Sequence, residues 1–318
     1  MKNRLCSDLN IEYPIIGGAM TGFSNPVLTA AISEAGGFGV YAAGLFNRDI
    51  GRIREDIQEC KRLTKKPFGI NVPMASPIVN ELMEFICTEE IAAVTTGAGS
   101  PKVYLTLLKE AGVKVMPVIS TPEQAKKMEK LQVDAVIASG RDAGGIVGKM
   151  GTMSLVPAAV DAVNIPVIAA GGIADGRGMA AAFALGACGV QMGTRFMLSA
   201  EATLHPNTRE YLLSRSGSDT VVLGEKIGSK VTGRYVIAPF VENVMSFEKS
   251  SEATLNEFQQ MTAGRDDLAI FEGNLEEGMI SAGMGLGLIH DILPCKEIIL
   301  NTMKEFRQTA EKVKAVSI

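Results

Sequence analysis

The feature that most constrains the fold of this chain is a recurring run of apolar and β-branched residues. Eight such runs occur within the first 196 residues, and segments of helical character separate them. Strands buried on both faces of a parallel sheet show this near-continuous hydrophobicity, whereas half-exposed strands alternate. The pattern predicts eight parallel β-strands, at residues 13–20, 38–44, 68–74, 92–99, 113–120, 134–140, 166–172 and 189–196.

The helices between these runs end in a consistent way. The stretches SEAGGFGV, KEAGVKV and LGACGVQ each close a helix at a glycine and enter a strand within a few residues. Glycine readily adopts the left-handed conformation found at helix C-termini, so this spacing is typical of helix-to-strand loops. Eight βα units predict an α/β fold, the (β/α)8 TIM barrel, whose reactive groups lie at the C-terminal ends of the strands. A doubly wound parallel sheet is the alternative.

The regular alternation of predicted strands and helices is absent between residues 201 and 277. The irregular stretch RSGSDTVVLGEKIGSKVTGRYV lies in this region, after the eighth strand. A helical segment over 281–314 is then expected to supply the eighth outer helix. We therefore predict a barrel formed by residues 1–200 and 278–318, with a small lid or substrate domain, residues 201–277, inserted after strand eight.

Charge and hydropathy exclude two classes of partner. The formal net charge is −4, and acidic and basic residues are interspersed without a basic block, which argues against nucleic-acid binding. No apolar run reaches the roughly 18 residues needed to cross a bilayer, and the start MKNRLCSDLN lacks a hydrophobic signal core. We therefore expect a cytoplasmic protein without a membrane partner, and a homodimer on general grounds.

Cysteine and histidine usage argues against a metal site. The five cysteines lie far apart without a CxxC pair, and the chain has only two histidines. This spacing fits reduced thiols better than a disulfide framework or a zinc or iron–sulfur site. No metal cofactor is predicted.

Glycines follow the seventh and eighth predicted strands. Gly171 and Gly172 end strand seven, and Gly193 and Thr194 end strand eight. In TIM barrels these two loops form the usual phosphate site, in which main-chain N–H groups face the anion. We interpret these four residues as a phosphate cradle, although glycines also occur there simply to make tight turns.

Polar side chains at other strand ends are further candidates. Asn71 is a lone amide among apolar neighbours at the end of strand three. An amide both donates and accepts hydrogen bonds, which suits the edge of a heterocycle, although capping of the loop is an equal alternative. Thr95 and Thr96 end strand four, where they contact a ligand or simply favour strand geometry.

Six motifs in order carry a family resemblance: YPIIGGAM, KPFGINV, VTTGAG, DAGGIVGK, IPVIAAGGIADGRG and VQMGTRF. With ILPCKEII near the end, they resemble the nitronate monooxygenase and FabK-type enoyl-acyl-carrier-protein reductase family over almost the whole chain. The resemblance implies a TIM barrel that holds FMN non-covalently. It also implies that NADH or NADPH reduces the flavin, which then reduces the 2,3 double bond of an acyl thioester in fatty acid synthesis.

The resemblance also implies roles for individual residues. Matched by motif, the FMN contacts are Ala19, Met20 and Asn71, with Gln191 close to the isoalloxazine. The phosphate contacts are the four cradle residues named above. The substrate side is formed by Thr96, Gly97, Gly144 and Gly145.

This chain departs from the family pattern at four positions. Ile146 occupies the position of the family's active-site histidine, and an isoleucine neither donates a hydrogen bond nor moves a proton. Gly17 and Met284 stand where the family usually has glutamine, and Ser139 stands where it has an acid. Since general acid catalysis is typically worth only about 10²–10⁴-fold, enoyl reduction tolerates this loss better than nitronate oxidation does.

Four residues are therefore the candidates for catalytic roles. Ile146 occupies the position of the family's active-site histidine. Ser139 offers a hydroxyl that can donate a hydrogen bond to a thioester oxygen. Lys149 lies three residues further on and is a candidate to hold a phosphate, and His290 is a candidate compensating acid. His205 is expected to anchor the start of the inserted region.

Three functional hypotheses remain at this point. The leading one is an FMN-containing, NAD(P)H-dependent enoyl-thioester reductase that acts on an acyl-carrier-protein or acyl-CoA substrate. The second keeps the flavin but changes the reaction to nitronate oxidation, quinone reduction or double-bond isomerisation. The third is a catalytically weakened paralogue that binds flavin or an acyl carrier.

Overall fold

The centre of the structure is a ring of parallel strands, described from a computed structural model that covers residues 3–44 and 49–316. The described strands are β1 (Ile15–Gly17), β2 (Gly39–Ala42), β3 (Phe68–Pro73), β4 (Ala93–Gly97), β5 (Lys114–Ile119), β6 (Val136–Ser139), β7 (Gly145–Ile146), β8 (Val167–Ala170), β9 (Gly189–Met192), β10 (Thr220–Leu223) and β11 (Gly233–Val236).

Eight of these strands form the barrel, in the order β1-β9-β8-β6-β5-β4-β3-β2, and all pair in parallel. A parallel bridge between Ile16 and Phe38 closes the ring next to β2. Two hydrogen bonds of 2.9 Å support it, from Phe38 N to Ile15 O and from Gly17 N to Phe38 O. The predicted TIM barrel is confirmed, and each of the eight predicted runs contains one barrel strand.

Helices surround this barrel. The described α-helices are α1 (Arg4–Leu9), α2 (Pro26–Glu34), α3 (Ile50–Leu63), α4 (Val79–Thr88), α5 (Leu105–Glu110), α6 (Pro122–Lys130), α7 (Thr152–Ala162), α8 (Gly176–Ala184), α9 (Thr194–Met197), α10 (Pro206–Leu213), α11 (Pro239–Phe247), α12 (Leu255–Thr262), α13 (Arg265–Phe271) and α14 (Cys295–Lys314). Short 3-10 helices cover Lys102–Tyr104, Gly217–Asp219 and Met284–Leu288.

The final helix is shorter than the sequence predicted. A helix over 281–314 was expected, but α14 begins at Cys295, and the residues before it form a 3-10 turn and extended chain. Gly283, Gly285 and Gly287 disfavour a continuous helix by roughly 1 kcal/mol each, and Pro294 immediately precedes Cys295. The prediction for 281–294 is therefore wrong, and this segment is free to reach the barrel mouth.

The strands alternate between two cores. Ile16, Val40 and Ile137 belong to a buried cluster inside the barrel, which Leu5 and Leu9 of α1 complete. Their sequence neighbours face the helices and pack in a separate, larger cluster. Because successive side chains of a strand point to opposite faces, this division identifies which residues face the barrel interior at its mouth.

The region between β9 and α14 adds a hairpin to one barrel loop. β10 and β11 pair antiparallel, and β11 also pairs with β7, which lies in the loop after β6. A separate buried cluster forms around Leu223, Phe240 and Met279. The division into a barrel and an inserted 201–277 domain remains a prediction, and its outer limits, residues 1 and 318, lie outside the described residues.

One search of the described helices bears on membranes. Within residues 3–44 and 49–316, no helix has both the length and the apolar composition that crossing a bilayer requires.

Candidate active site

A cleft opens at the end of the barrel where the strands finish. Its walls come from the loops after β1, β6, β8 and β9, and from the segment 283–285 that returns toward the barrel before α14. Main chain dominates these walls, since most lining residues are glycine or alanine. The described lining residues are Gly18, Ala19, Met20, Ser139, Ala143, Gly144, Ala170, Gly171, Gly172, Ile173, Ala174, Gln191, Gly193, Thr194, Gly283 and Gly285.

The two glycine turns predicted as a phosphate cradle meet in this cleft. Gly171 and Gly172 have φ values of +101° and +73°, which disfavour other residues. A Cβ on Gly171 would lie 2.9 Å from Thr152 Oγ1 and 3.0 Å from Ala143 N. Gly171, Gly172 and Gly193 line the cleft with main chain, including amide groups of the two turns, because glycine has no side chain. Such amides form the kind of concave surface that binds phosphate groups.

The segment 282–285 packs between three barrel loops. Gly283 N donates to Thr194 Oγ1 at 2.9 Å, and Met284 N donates to Asp142 O at 2.9 Å. A Cβ on Gly285 would lie 3.0 Å from Gly172 O, and one on Gly283 would lie 2.8 Å from Asp142 O. The close packing leaves no room for side chains at these two positions, so this segment forms part of the cradle wall.

A hydrogen-bonded turn after β1 positions the first predicted flavin contacts. Ser24 Oγ donates to Gly18 O at 3.0 Å and accepts from Met20 N at 2.9 Å. A Cβ on Gly18 would lie 2.9 Å from Gly193 Cα, so the two turns touch through their main chains. Ala19 and Met20 consequently line the cleft beside Gly193.

Polar and apolar side chains form the interior rim of the barrel mouth. Asn71 pairs with Thr95 across the sheet, and Asn71 Nδ2 donates to Thr95 Oγ1 at 2.9 Å and to Thr95 O at 3.3 Å. Val118 pairs with Ile137 on the same inner face and is 37% exposed. Gln191 also lies on this face, paired with Ala170. The rim therefore offers amide groups and one exposed hydrocarbon to a ligand, without a charge.

The loop after β6 carries the position at which the family histidine is replaced. Ala143 and Gly144 line the cleft, whereas Ile146 does not. Ile146 is 55% exposed and pairs with Gly233 of β11, which offers no side chain to cover it. Asp142 Oδ2 accepts from Thr152 N at 2.8 Å at the start of α7, so the acid of this loop is engaged in structure.

Several predicted residues are not brought to the cleft wall. Thr96 is fully buried, faces away from Asn71 by strand alternation, and its hydroxyl has no partner among the described residues. Lys149 is exposed, and His290 lines a second depression together with Arg195 and Asp291. Gly97 and Gly145 also lie outside the wall, and a Cβ at either position would meet nothing within 4 Å.

His205 has the structural role that the sequence suggested. Its Nδ1 accepts a hydrogen bond of 3.2 Å from Asn207 N at the start of α10, so the expectation that it anchors the start of the inserted region is confirmed.

Sequence reasoning missed part of the wall. Ala143, Gly283 and Gly285 line the cleft, and Val118 is exposed on the rim, but none was singled out. The alternating glycines of AGMGLGLI were a usable signal for the 283–285 segment. Val118 carried no such signal, because its exposure depends on an open barrel mouth.

The cleft holds no acid–base side chain. None of the sixteen described lining residues has a titratable group. The nearest cation in sequence, Arg195, is buried, and its Nη1 pairs with Asp291 Oδ1 at 2.9 Å. Burial lowers the pKa of Arg195, while Asp291 raises it. Within residues 3–44 and 49–316, no cluster of His, Cys, Asp and Glu side chains is arranged to hold a metal ion. The described lining offers main-chain amides, hydroxyls and a side-chain amide, groups that suit an anion and a neutral ring.

Comparisons with known proteins agree with this geometry. The family model described as nitronate monooxygenase matches residues 2–85 and 79–305. The solved structure of FabK from Thermotoga maritima is 42% identical, covers 99% of both chains and superposes with a TM-score of 0.93.

Two curated relatives are more distant. A (3aS,4S,5R,7aS)-5-hydroxy-7a-methyl-1-oxo-octahydro-1H-indene-4-carboxyl-CoA dehydrogenase of Rhodococcus jostii is 30% identical over 94% of each chain. A probable nitronate monooxygenase of Staphylococcus aureus is 34% identical over 78% of this chain and 81% of its own.

Proposed function

The chain belongs to the nitronate monooxygenase family, whose members are flavin oxidoreductases, and from this premise we propose that it is an FMN-dependent, NAD(P)H-linked enoyl-thioester reductase. The reaction is the reduction of the 2,3 double bond of an acyl thioester. The 42% identity to FabK over nearly the full length supports this choice within the family.

One observation carries the proposal: a cleft walled by main-chain amides that contains no titratable side chain among its described lining residues. Glycines at 171, 172, 193 and 283 leave the space that the terminal phosphate of FMN would fill. The amide groups of Asn71 and Gln191 suit the hydrogen-bonding edge of the flavin ring. These residues fit the cofactor that the family uses.

The chain's own contribution to the reaction is binding and orientation. FMN, held by the cradle and the rim, would supply the hydride-transfer chemistry for this reduction. The cradle fixes the phosphate end of the cofactor, and the rim holds the ring edge, so that the reacting atoms are held in a defined geometry. Ser139 lines the cleft, and its proposed role is to donate a hydrogen bond from its hydroxyl to the thioester oxygen.

Replacement of the family histidine changes the source of the proton that the α-carbon receives. Ile146 supplies no proton, and Lys149 and His290 do not line the cleft. The proton therefore comes from solvent, which reaches the half-exposed loop at Ile146. Loss of general acid catalysis lowers the reaction rate by about 10²–10⁴-fold. The rate advantage gained by holding the substrate in a fixed orientation remains.

The substrate is proposed to be a thioester of acyl carrier protein or coenzyme A. The Rhodococcus relative is named for a carboxyl-CoA substrate, and FabK-type enzymes act on acyl carrier protein by the resemblance described above. A homodimer remains our expectation for the assembly.

Nitronate oxidation is the second candidate. The Staphylococcus relative with 34% identity is named a probable nitronate monooxygenase. Ile146 weighs against it, because that reaction relies on the histidine as a base or as a partner for the anion. Quinone reduction, double-bond isomerisation and a weakened binding paralogue remain further alternatives, with no specific structural observation in their favour.

An anaerobic flavin spectrum tests the proposal. The protein is loaded with FMN, NADH or NADPH is added under argon, and crotonyl thioester follows. We expect bleaching of the flavin and then re-oxidation by the thioester. Re-oxidation only by quinone, oxygen or a nitronate would replace the proposal with one of the alternatives, and a protein that binds no FMN would overturn it.

A further inference from the structure

A buried arginine of the inserted hairpin holds the base of the β6 loop. Arg234 lies on β11, is 7% exposed and directs its guanidinium at the main chain of that loop. Its Nε and Nη2 donate to Arg141 O at 3.2 and 3.1 Å, and its Nη1 donates to Thr220 Oγ1 at 2.8 Å. One side chain therefore joins β10, β11 and Arg141, near the start of the loop.

The loop is tied to the same hairpin at two further points. The Arg141 guanidinium forms a paired contact with Glu225, with N–O distances of 2.7 and 2.8 Å. At the other end of the loop, Val147 N donates to Thr232 O at 3.0 Å and Thr232 Oγ1 donates to Val147 O at 3.1 Å. The residues between, including Gly144 in the cleft wall, are therefore held from both sides by the hairpin.

Burying the Arg234 guanidinium costs free energy of folding, because the charge loses its contact with water. Arg234 forms no ion pair with any described carboxylate, and its interactions are with neutral acceptors. Burial lowers the pKa of Arg234, and so does the neighbouring Arg141, while Asp142 and Glu225 raise it. Well-packed apolar side chains in place of buried charged groups are often neutral or stabilising, so the hydrogen bonds to the loop, rather than stability alone, are the feature that an arginine supplies here.

We infer that Arg234 is a positioning residue, which holds residues 142–147 against the cleft so that Ala143 and Gly144 keep a fixed position beside the bound substrate. The inference rests on the proposed function where it names a substrate. The hydrogen bonds from Arg234 to Arg141 O are independent of the reaction. Arg234 itself does not line the cleft.

Amide hydrogen exchange of the full chain loaded with FMN tests the inference without assuming an activity. The variants are Arg234→Met, which removes all three donors, and Arg234→Lys, which keeps the positive charge but not the planar guanidinium that donates to Arg141 O through two nitrogens. Arg265→Met is the matched control, since Arg265 also donates to main-chain carbonyls, Met261 O at 3.2 Å and Glu277 O at 3.4 Å, and neither acceptor belongs to the loop.

We expect exchange in residues 142–147 to accelerate at least tenfold in Arg234→Met and less in Arg234→Lys, with no such local change in Arg265→Met. The KM for crotonyl thioester should rise at least fivefold in Arg234→Met, while the rate of flavin reduction by NADH stays within twofold. Unchanged loop exchange in Arg234→Met, or acceleration spread equally over the barrel, would overturn the inference.

Two further outcomes keep the two proposals separate. If Arg234→Met does not fold, Arg234→Lys becomes the deciding variant, because it also loses the paired donors to Arg141 O, and unchanged loop exchange in Arg234→Lys would overturn the inference. If the native protein reduces no enoyl thioester, the proposed function fails, whereas the exchange result still decides the role of Arg234.

Discussion

The main-chain amide of Gly283 donates a hydrogen bond of 2.9 Å to the hydroxyl of Thr194. A threonine hydroxyl that accepts such a bond still has its own proton to donate. Thr194 lines the cleft next to Gly193, so this proton is available to an anion in the cradle. The returning segment thus orients a side chain of the proposed phosphate site as well as forming part of the cleft wall.

Removal of this hydroxyl is expected to weaken FMN binding. Hydrogen bonds to charged groups contribute about 1.5–3 kcal/mol, so Thr194→Val should raise the Kd for FMN at least tenfold. Thr194→Ser keeps the hydroxyl and should stay within threefold of the native Kd. Fluorescence titration of the apoprotein measures both values. Equal affinities for the valine and serine variants would exclude Thr194 from the phosphate site.

Two glycines with the same backbone conformation separate binding from strain. Gly172 has φ +73° and Gly112, in the turn before β5, has φ +74°. Alanine at either position costs roughly 1–2 kcal/mol of left-handed strain. A Cβ at Gly112 meets nothing within 4 Å, whereas one at Gly172 lies 3.1 Å from Asp142 Cβ at the cradle.

We therefore expect Gly172→Ala and Gly112→Ala to lower the melting temperature of the apoprotein by similar amounts. Only Gly172→Ala should lose FMN affinity, by at least tenfold. Calorimetry and flavin titration measure the two effects separately. The cradle assignment would fail if Gly172→Ala bound FMN as tightly as Gly112→Ala does.

The barrel was predictable from the sequence because strands buried on both faces are hydrophobic throughout. The position of the glycine turns at the barrel mouth was also predictable, since Gly171 and Gly172 follow directly on β8 in the sequence and Gly193 on β9, whereas their role as a phosphate site stays a prediction. The pairing of β7 with β11 was not, because a two-residue strand has no periodicity of its own and its partner lies 87 residues further on, Ile146 against Gly233.

The segment 281–294 was assigned wrongly for a related reason. Its apolar residues suggest a helix, but glycine is required at 283 and 285, where a Cβ would lie 2.8 Å from Asp142 O and 3.0 Å from Gly172 O respectively. Such close approach of main chains from distant parts of the sequence is a tertiary property. Sequence patterns of helix and strand do not report it.

Restoring the family histidine tests the role of the β6 loop. Ile146 is 55% exposed, so Ile146→His should fold without a packing penalty. We expect the variant to retain flavin and to raise nitronate oxidation at least tenfold, because general acid–base help is worth about 10²–10⁴-fold. Oxygen uptake with propyl-2-nitronate measures the gain. Val313→His, at a 65% exposed position on α14, is the control. No difference between the two variants would place Ile146 outside the reaction centre.

The Arg141–Glu225 contact gives the loop a dependence on pH. The hydrogen bonds from Arg141 lower the pKa of the Glu225 carboxyl in the folded protein. A lowered folded-state pKa contributes stability above the ordinary value of about 4.3, and this contribution is lost as pH falls through the lowered value. The melting temperatures of the native chain and Glu225→Gln should therefore differ at pH 6 and converge near pH 3. A difference that stays constant over this range would contradict the assignment.

The central claim is that the glycine turns after β8 and β9 bind the phosphate of a flavin. Titration of the apoprotein with FMN and with riboflavin isolates that phosphate, because the two ligands share the same ring. We predict that FMN binds at least a hundredfold more tightly, equivalent to about 2.7 kcal/mol, and that added inorganic phosphate weakens FMN binding but not riboflavin binding. Equal affinities for the two ligands, or no binding of either, would contradict the account.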